Sequence, residues 1–120
     1  MERIRREEHA GKRILVLDMT GIGADGYPDV LRTAVEVIGR EPPGSVRLAT
    51  LVKDARFGIR IGEHVKAFSA AIRPQLKASA LVGLSPLHNV IFLTVRPFLH
   101  GSITAFPTLD AAKTWLATFE

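Results

Sequence analysis

The sequence predicts an α/β fold, a mixed sheet of four or five strands with about four helices packed on it. Short apolar runs of strand length alternate along the 120-residue chain with segments whose apolar residues recur every three to four positions. Residues 45–77 contain one complete unit of this kind: a strand-like run, a charged turn and an amphipathic helix. Such alternation indicates a sheet covered by helices, because each element must bury its apolar side against another.

Two alternatives are open for residues 1–11. Residues 3–8 are mostly charged, whereas residues 12–19 form the apolar run KRILVLDM, which predicts a strand. The charged residues are either its hairpin partner at the sheet edge, where charge blocks unwanted pairing, or a flexible tail.

A glycine-rich loop, residues 20–26, separates this strand from the first predicted helix. Asp25 or Gly26 can cap that helix, and Pro28 suits its first turn. The loop contains the pattern GxGxxG of dinucleotide sites. However, the helix is predicted to begin near Pro28, after the last glycine, and Asp25 would place negative charge beside a phosphate. We therefore interpret these residues as a loop on the functional face.

The central unit places a charged turn at the end of a strand. Residues 46–53 predict the strand, and residues 54–58 the turn. The helix that follows has an apolar stripe of Ile61, Val65, Phe68, Ile72 and Leu76, and an opposite face with Lys66, Arg73 and Lys77. Pro74 is expected to end or kink this helix. The carboxyl ends of strands in open α/β sheets are where ligands and partners usually bind.

The C-terminal third predicts two more strands and two more helices. Residues 78–84 form an apolar run, and residues 102–106 form a short last strand. Residues 87–99 are rich in strand-favouring side chains, but their length and the Ser85-Pro86 start favour a helix ending near Pro97. Thr108 is expected to cap the final helix, whose buried face is Leu109, Ala112, Trp115, Leu116 and Phe119.

Composition excludes several classes of protein. The chain has no cysteine, which removes disulfides, thiolate metal sites and a cysteine nucleophile. No two of the four histidines have the i, i+4 spacing of a helical zinc site, so no metal or cofactor is predicted. Asp18 and Asp54 each follow or end a strand, but loop solvation and capping explain them better than acid/base catalysis, so a small enzyme using Asp18, Asp54 or His64 is only the third hypothesis. We therefore predict a non-enzymatic protein with a single domain, residues 1–120.

Charge and hydropathy predict where the protein works. No run of about 18 apolar residues exists, so no transmembrane helix is predicted, and the charged N-terminus does not resemble a signal peptide. We expect a cytoplasmic location. The net charge of +4 is modest and the basic central segment lacks interleaved exposed aromatic residues, so nucleic acid is not a predicted partner.

Residues 3–119 resemble the STAS superfamily, in its stand-alone branch of SpoIIAA-like proteins (anti-sigma-factor antagonists and their relatives). The resemblance rests on the element order, on ILVLDMTG before the first helix, on LATLVKDARFG before the second, and on the ending SITAFPTLDAAKTWL. It implies a regulatory protein–protein interaction domain whose loop after the central strand contacts a protein partner. The predicted partner-binding residues are Asp54, Ala55, Arg56, Phe57 and Gly58, with Thr20, Gly21, Gly23 and Asp25 nearby on the same rim.

Many members of that superfamily carry a serine or threonine in this loop that a partner kinase phosphorylates. Neither residue type occurs between positions 53 and 67 here. The resemblance therefore implies a binding domain and leaves its regulation open.

An apolar interface is predicted in the segment before the last strand. Between residues 78 and 109 the only Lys, Arg, Asp or Glu is Arg96. A helix in this segment is either thoroughly buried or leaves an apolar face for a partner, and the predicted partner is a second copy in a homodimer. The interface residues are Val90, Ile91, Leu93, Val95, Phe98 and Leu99.

The same apolar surface supports an alternative function. With basic residues at its edge, it suits a carrier of a small hydrophobic molecule or lipid, and the basic helix face suits an acidic protein or anionic lipid headgroups.

Overall fold

The computed structural model describes residues 3–58, 60–98 and 102–120. Within these ranges the chain forms five strands, four α-helices and one 3₁₀ turn. The strands are β1 (Ile4–His9), β2 (Lys12–Asp18), β3 (Val46–Leu51), β4 (Leu76–Val82) and β5 (Ser102–Phe106). The helices are α1 (Tyr27–Gly39), α2 (Ile61–Ile72), α3 (Pro86–Val95) and α4 (Leu109–Leu116), with the 3₁₀ turn at Arg96–Phe98.

The strands form one mixed sheet in the order β1-β2-β3-β4-β5. β1 is antiparallel to β2, and each later strand runs parallel to the one before it. Each connection from β2 to β5 therefore leads to the next strand on the same side. Right-handed connections of this kind place all of their helices on one face of the sheet. α1, α2 and α3 pack on that face, and α4 packs on the other. The predicted mixed α/β sheet is confirmed.

The inner strands are apolar because helices cover both of their faces. In β2, Leu15 and Leu17 join the core beneath α1 and α2, whereas Ile14 and Val16 join the core beneath α4. Strands buried on both faces have continuous apolar sequences rather than alternating ones. This explains why the run in residues 12–19 predicts a strand without a clear period of two.

Of the two alternatives for the N-terminal residues, an edge strand or a flexible tail, the structure contains the edge strand. β1 and β2 form a hairpin through Ala10 and Gly11, whose φ values of 52° and 78° give the left-handed pair that a two-residue turn requires. The Glu7 carboxylate on β1 accepts hydrogen bonds from Arg5 and from Lys113 of α4. The charged edge strand is therefore tied to the helix on the second face of the sheet.

The predicted helix starts are present. Gly26 precedes α1, and Pro28 lies in the first turn. The Ser85 hydroxyl caps α3 by accepting a hydrogen bond from the backbone three residues on (3.1 Å), and the Thr108 hydroxyl caps α4 in the same way (3.2 Å).

The second helix ends just before Pro74, as predicted, but the assignment of Leu76 and Lys77 to that helix is wrong. α2 ends at Ile72, and the chain turns through Pro74 directly into β4. Proline has no N–H to continue the helix, so Leu76 and Lys77 are strand residues. Leu76 is therefore not part of the helical stripe, and Lys77 does not share a helix face with Lys66.

The segment between the last two strands is helical, as predicted. α3 covers Pro86–Val95, and the 3₁₀ turn extends it to Phe98, close to the predicted end near Pro97. Leu99, the last residue of the apolar segment, lies outside the described residues. Within the described ranges, no helix is both long enough and apolar enough to cross a membrane.

Candidate functional site

Two loops lie side by side at the carboxyl ends of β2 and β3. They comprise residues 19–26 and 52–58, and together we call them the rim. The Gly21 N–H donates to the Lys53 carbonyl (2.9 Å), and the Arg56 N–H donates to the Ile22 carbonyl (2.7 Å). These backbone hydrogen bonds bring together the two loops that the sequence places on one rim.

The rim exposes its polar residues and buries most of its apolar ones. Asp54 and Arg56 are exposed, Phe57 and Gly58 are half-buried, and Ala55 is buried in the core. Asp54 has a φ of 58°, a left-handed conformation in which aspartate is found more often than most residues. In the first loop the exposed residues are Thr20, Gly21, Gly23, Ala24 and Asp25. Ala55 supports the loop from inside and is not available to a partner.

The glycine pattern of the first loop builds a turn. α1 begins at Tyr27, after the last glycine of GxGxxG. The N–H groups of Gly21 and Gly26 donate to the carbonyls of Lys53 and Gly23. These donors are engaged within the protein, which agrees with the interpretation as a rim loop.

Asp18 is held at the base of the rim by hydrogen bonds. Its carboxylate accepts from the Thr20 N–H (2.9 Å) and from Arg5 (3.2 Å). Partial burial acts to raise the pKa of Asp18, but the hydrogen bonds from Thr20 and Arg5 outweigh it and lower the pKa. The carboxylate therefore stays ionised and fixes the loop.

A row of four rings connects the rim to the starts of three helices. Tyr27 of α1 contacts Phe57 edge-on (5.2 Å between ring centroids) and His64 of α2 in the same way (5.3 Å). Phe57 also packs on His88 of α3 (5.0 Å). Phe57 therefore links the rim to α3 by a ring contact.

An apolar cavity of about 100 Å³ lies beside this row, between α2, α3 and the sheet. Phe57 forms part of its wall at the rim end. The side chains from α2 include the predicted apolar stripe, and those from α3 include Ile91 and Phe92. Among the described residues that line the cavity there is no Asp, Glu, Lys or Arg. Its polar side chains are Thr50, Ser69, Ser79 and His88.

The cavity is the part of the site that sequence reasoning misses. Its lining comes from separate strands, loops and helices, and the space between elements has no sequence pattern. Thr50 and Ser79 do not stand out in the runs that predict β3 and β4. The sequence feature that could have indicated the cavity is a hydroxyl residue inside a strand that is otherwise apolar and covered on both faces.

α3 has an exposed apolar face on the side away from the cavity. Leu87, Val90 and Leu93 are 68%, 60% and 56% exposed. Of the predicted interface residues, Val90 and Leu93 lie on this face, but Ile91 lines the cavity instead. The side chains of Val95 and Phe98, and all of Leu99, lie outside the described parts of the structure.

The described residues contain no cluster of three or more His, Asp or Glu side chains placed to hold a metal ion.

Comparison with known proteins identifies the fold. No protein-family model and no curated protein matches the sequence. The structure is similar to that of an uncharacterised protein of the DUF3478 family from Shewanella loihica PV-4, described as having a SpoIIAA-like fold. The TM-score is 0.71 at 13% sequence identity, and the match covers 94% of this chain and 91% of the other. The chain therefore has a SpoIIAA-like fold, as its sequence resemblance implies.

Proposed function

We propose that this chain is a non-enzymatic binding domain that holds a small hydrophobic molecule in the cavity between α2 and α3. The cavity is the observation that carries the proposal: about 100 Å³ of space whose described lining has no charged side chain. Protein interiors contain few voids larger than a water molecule, and an engineered apolar cavity of about 150 Å³ binds benzene. A benzene-sized probe is therefore close to the size of this space.

α3 is the wall that can move to admit a larger molecule. Phe92 is the one α3 side chain classed as buried, among those that the structure describes. Ile91 and His88 are half-buried, whereas Leu87, Val90 and Leu93 stay in contact with solvent. Elements with few buried apolar contacts open at low free-energy cost.

A cavity-filling substitution tests the proposal. Val65 lines the cavity, and Val65→Phe should fill it, whereas Val90→Phe makes the same change on the exposed face of α3. In a titration with toluene followed by amide NMR spectra, the wild type and Val90→Phe should show saturable shifts around the cavity. Val65→Phe should show none, although its spectrum remains that of a folded protein. The proposal fails if the wild type does not bind, or if Val65→Phe binds as the wild type does.

A second candidate function is the regulatory contact with a protein partner that the sequence resemblance implies. The observation in its favour is the rim, where Asp54 and Arg56 are exposed on a loop fixed by backbone hydrogen bonds. A loop held in one conformation loses little entropy when a partner binds. The cytoplasmic location and the homodimer stay predictions alongside it.

The test of this second function uses one charge reversal and a matched control. Arg56→Glu changes the rim, and Arg40→Glu makes the same change at an exposed position after the far end of α1. A specific protein captured from the native lysate by the wild type and by Arg40→Glu, but lost with Arg56→Glu, would support the rim contact. Retention of every captured protein by Arg56→Glu would contradict it. Phe57 is left unchanged because it also lines the cavity.

A further inference from the structure

Two hydroxyl side chains lie together in the apolar floor of the cavity. Thr50 on β3 and Ser79 on β4 are only 5% and 6% exposed, and both line the cavity. In the register of these strands Leu48 is the partner of Ser79. Thr50 is two residues further along β3, so the two hydroxyl residues are diagonal neighbours on the same face of the sheet.

Neither hydroxyl has a hydrogen-bond partner in the part of the chain that the structure describes. Among the described residues, neither oxygen is a side-chain atom that is both enclosed and unpaired, so each keeps some accessible surface. They therefore remain open to the cavity. Because the described protein leaves both hydroxyls without a partner, a polar group on a ligand in the cavity would find hydrogen-bond partners there.

We infer that the ligand is an uncharged hydrophobic molecule with one hydroxyl or carbonyl group, which hydrogen bonds to Thr50 and Ser79. The inference rests on the proposed function and names the chemical class of its ligand. A hydroxyl side chain both donates and accepts, so it can pair with either kind of group. The body of the ligand fills the apolar space towards α2 and α3.

The lining excludes a charged ligand. Burying an ion is expensive unless an opposite charge pairs with it, and no Asp, Glu, Lys or Arg is found among the described residues around the cavity. The other polar side chains, Ser69 and His88, come from α2 and α3, and the His88 ring packs on Phe57. The polar end of the ligand is therefore directed at the sheet.

Three probes of similar size test the inference: toluene, phenol and benzoate. Toluene and phenol differ by a methyl group in place of a hydroxyl, and benzoate adds a negative charge. Each probe would be titrated into the wild type and into the double variant Thr50→Val, Ser79→Ala, with dissociation constants taken from amide NMR shifts. Both changes remove a hydroxyl with little change in volume, so the variant should fold. Thr104→Val is the control, because Thr104 pairs with Ala80 and faces α4.

Loss of both hydroxyls should lower the affinity for phenol relative to toluene by roughly tenfold, since one net hydrogen bond is worth a factor of roughly two to ten. Thr104→Val should leave this ratio unchanged, and benzoate should not bind. If toluene binds but the ratio is the same in all three proteins, the inference is wrong and the proposed function survives. Hydroxyls that serve only to hold water would give that result. If neither toluene nor phenol binds the wild type, the proposed function itself is wrong.

Discussion

The two faces of the sheet are packed differently. The core beneath α4 contains four alanines with no exposed surface, beside larger buried side chains such as Ile14 and Leu116. The alanines are Ala49, Ala78, Ala80 and Ala112. Small side chains on both surfaces let α4 approach the strands closely. The face beneath α2 and α3 has larger side chains, yet it retains a cavity of about 100 Å³. One sheet therefore has a core with fully buried alanines beneath α4 and a cavity beneath α2 and α3.

The helices at the two faces differ in the same sense. Two sets of side-chain contacts hold α4. Lys113 donates a hydrogen bond to Glu7, and the Trp115 ring packs between Phe106 and Phe119, with ring centroids 5.4 and 4.9 Å apart. α3 turns Leu87 and other large apolar side chains towards solvent. α4 is therefore fixed by side-chain contacts to β1 and β5, whereas the proposed movement of α3 concerns the other face.

The largest expected effect on stability is the difference between two valine-to-alanine substitutions, one on each face of the sheet. Val16 is fully buried beneath α4, whereas Val65 lines the cavity. Val16→Ala should lower the free energy of unfolding by about 2–3 kcal/mol, because it removes two buried methyl groups and leaves a void. Val65→Ala should cost less than about 1 kcal/mol, because those methyl groups already border empty space. Urea denaturation measures both, and equal losses would contradict the contrast between the faces.

Local chemistry accounts for the parts of the fold that the sequence predicts. The caps at Ser85 and Thr108 depend on a hydroxyl and the N–H three residues later, so both helix starts are visible in the sequence. The error at Leu76 arose because an apolar residue four positions after Ile72 suits a helix stripe as well as a new strand. The decisive information was the turn at Pro74.

The site is predictable only where it consists of consecutive residues. The rim loops follow β2 and β3, and their proximity follows from the parallel pairing of those strands. The cavity instead depends on how far α3 sits from the sheet, which is set by packing volumes between distant residues. Binary patterns report which residues are apolar, and they carry no information about such volumes.

A smaller effect on stability is expected from the pair formed by Glu7 of β1 and Lys113 of α4, and it should depend on pH. Hydrogen bonds from Lys113 and then from Arg5 lower the pKa of Glu7 below its ordinary value of 4.5. A lowered folded-state pKa contributes stability above the ordinary pKa, and this contribution is lost as the pH falls through the folded value. Lys113→Met should therefore cost about 1 kcal/mol at pH 7 and less at pH 3.

Denaturation at several pH values measures this dependence. Lys12→Met is the control, because Lys12 pairs at 3.7 Å with Glu120, whose side chain is almost fully exposed. Its effect on stability should be near zero at every pH. If Lys113→Met costs as much at pH 3 as at pH 7, the contribution of Lys113 comes from packing and not from its charge.

The smallest effect on stability is expected on the exposed face of α3. The double variant Leu87→Gln, Leu93→Gln changes two side chains that are mostly in solvent, so the free energy of unfolding should change by less than about 0.5 kcal/mol. The same variant tests the predicted homodimer, because an apolar patch that contacts a second copy loses its attraction when glutamine replaces leucine. Sedimentation equilibrium of the wild type should show a dimer that the variant lacks. A monomeric wild type would contradict the predicted homodimer. A large loss of stability in the variant would show that α3 is anchored as firmly as α4.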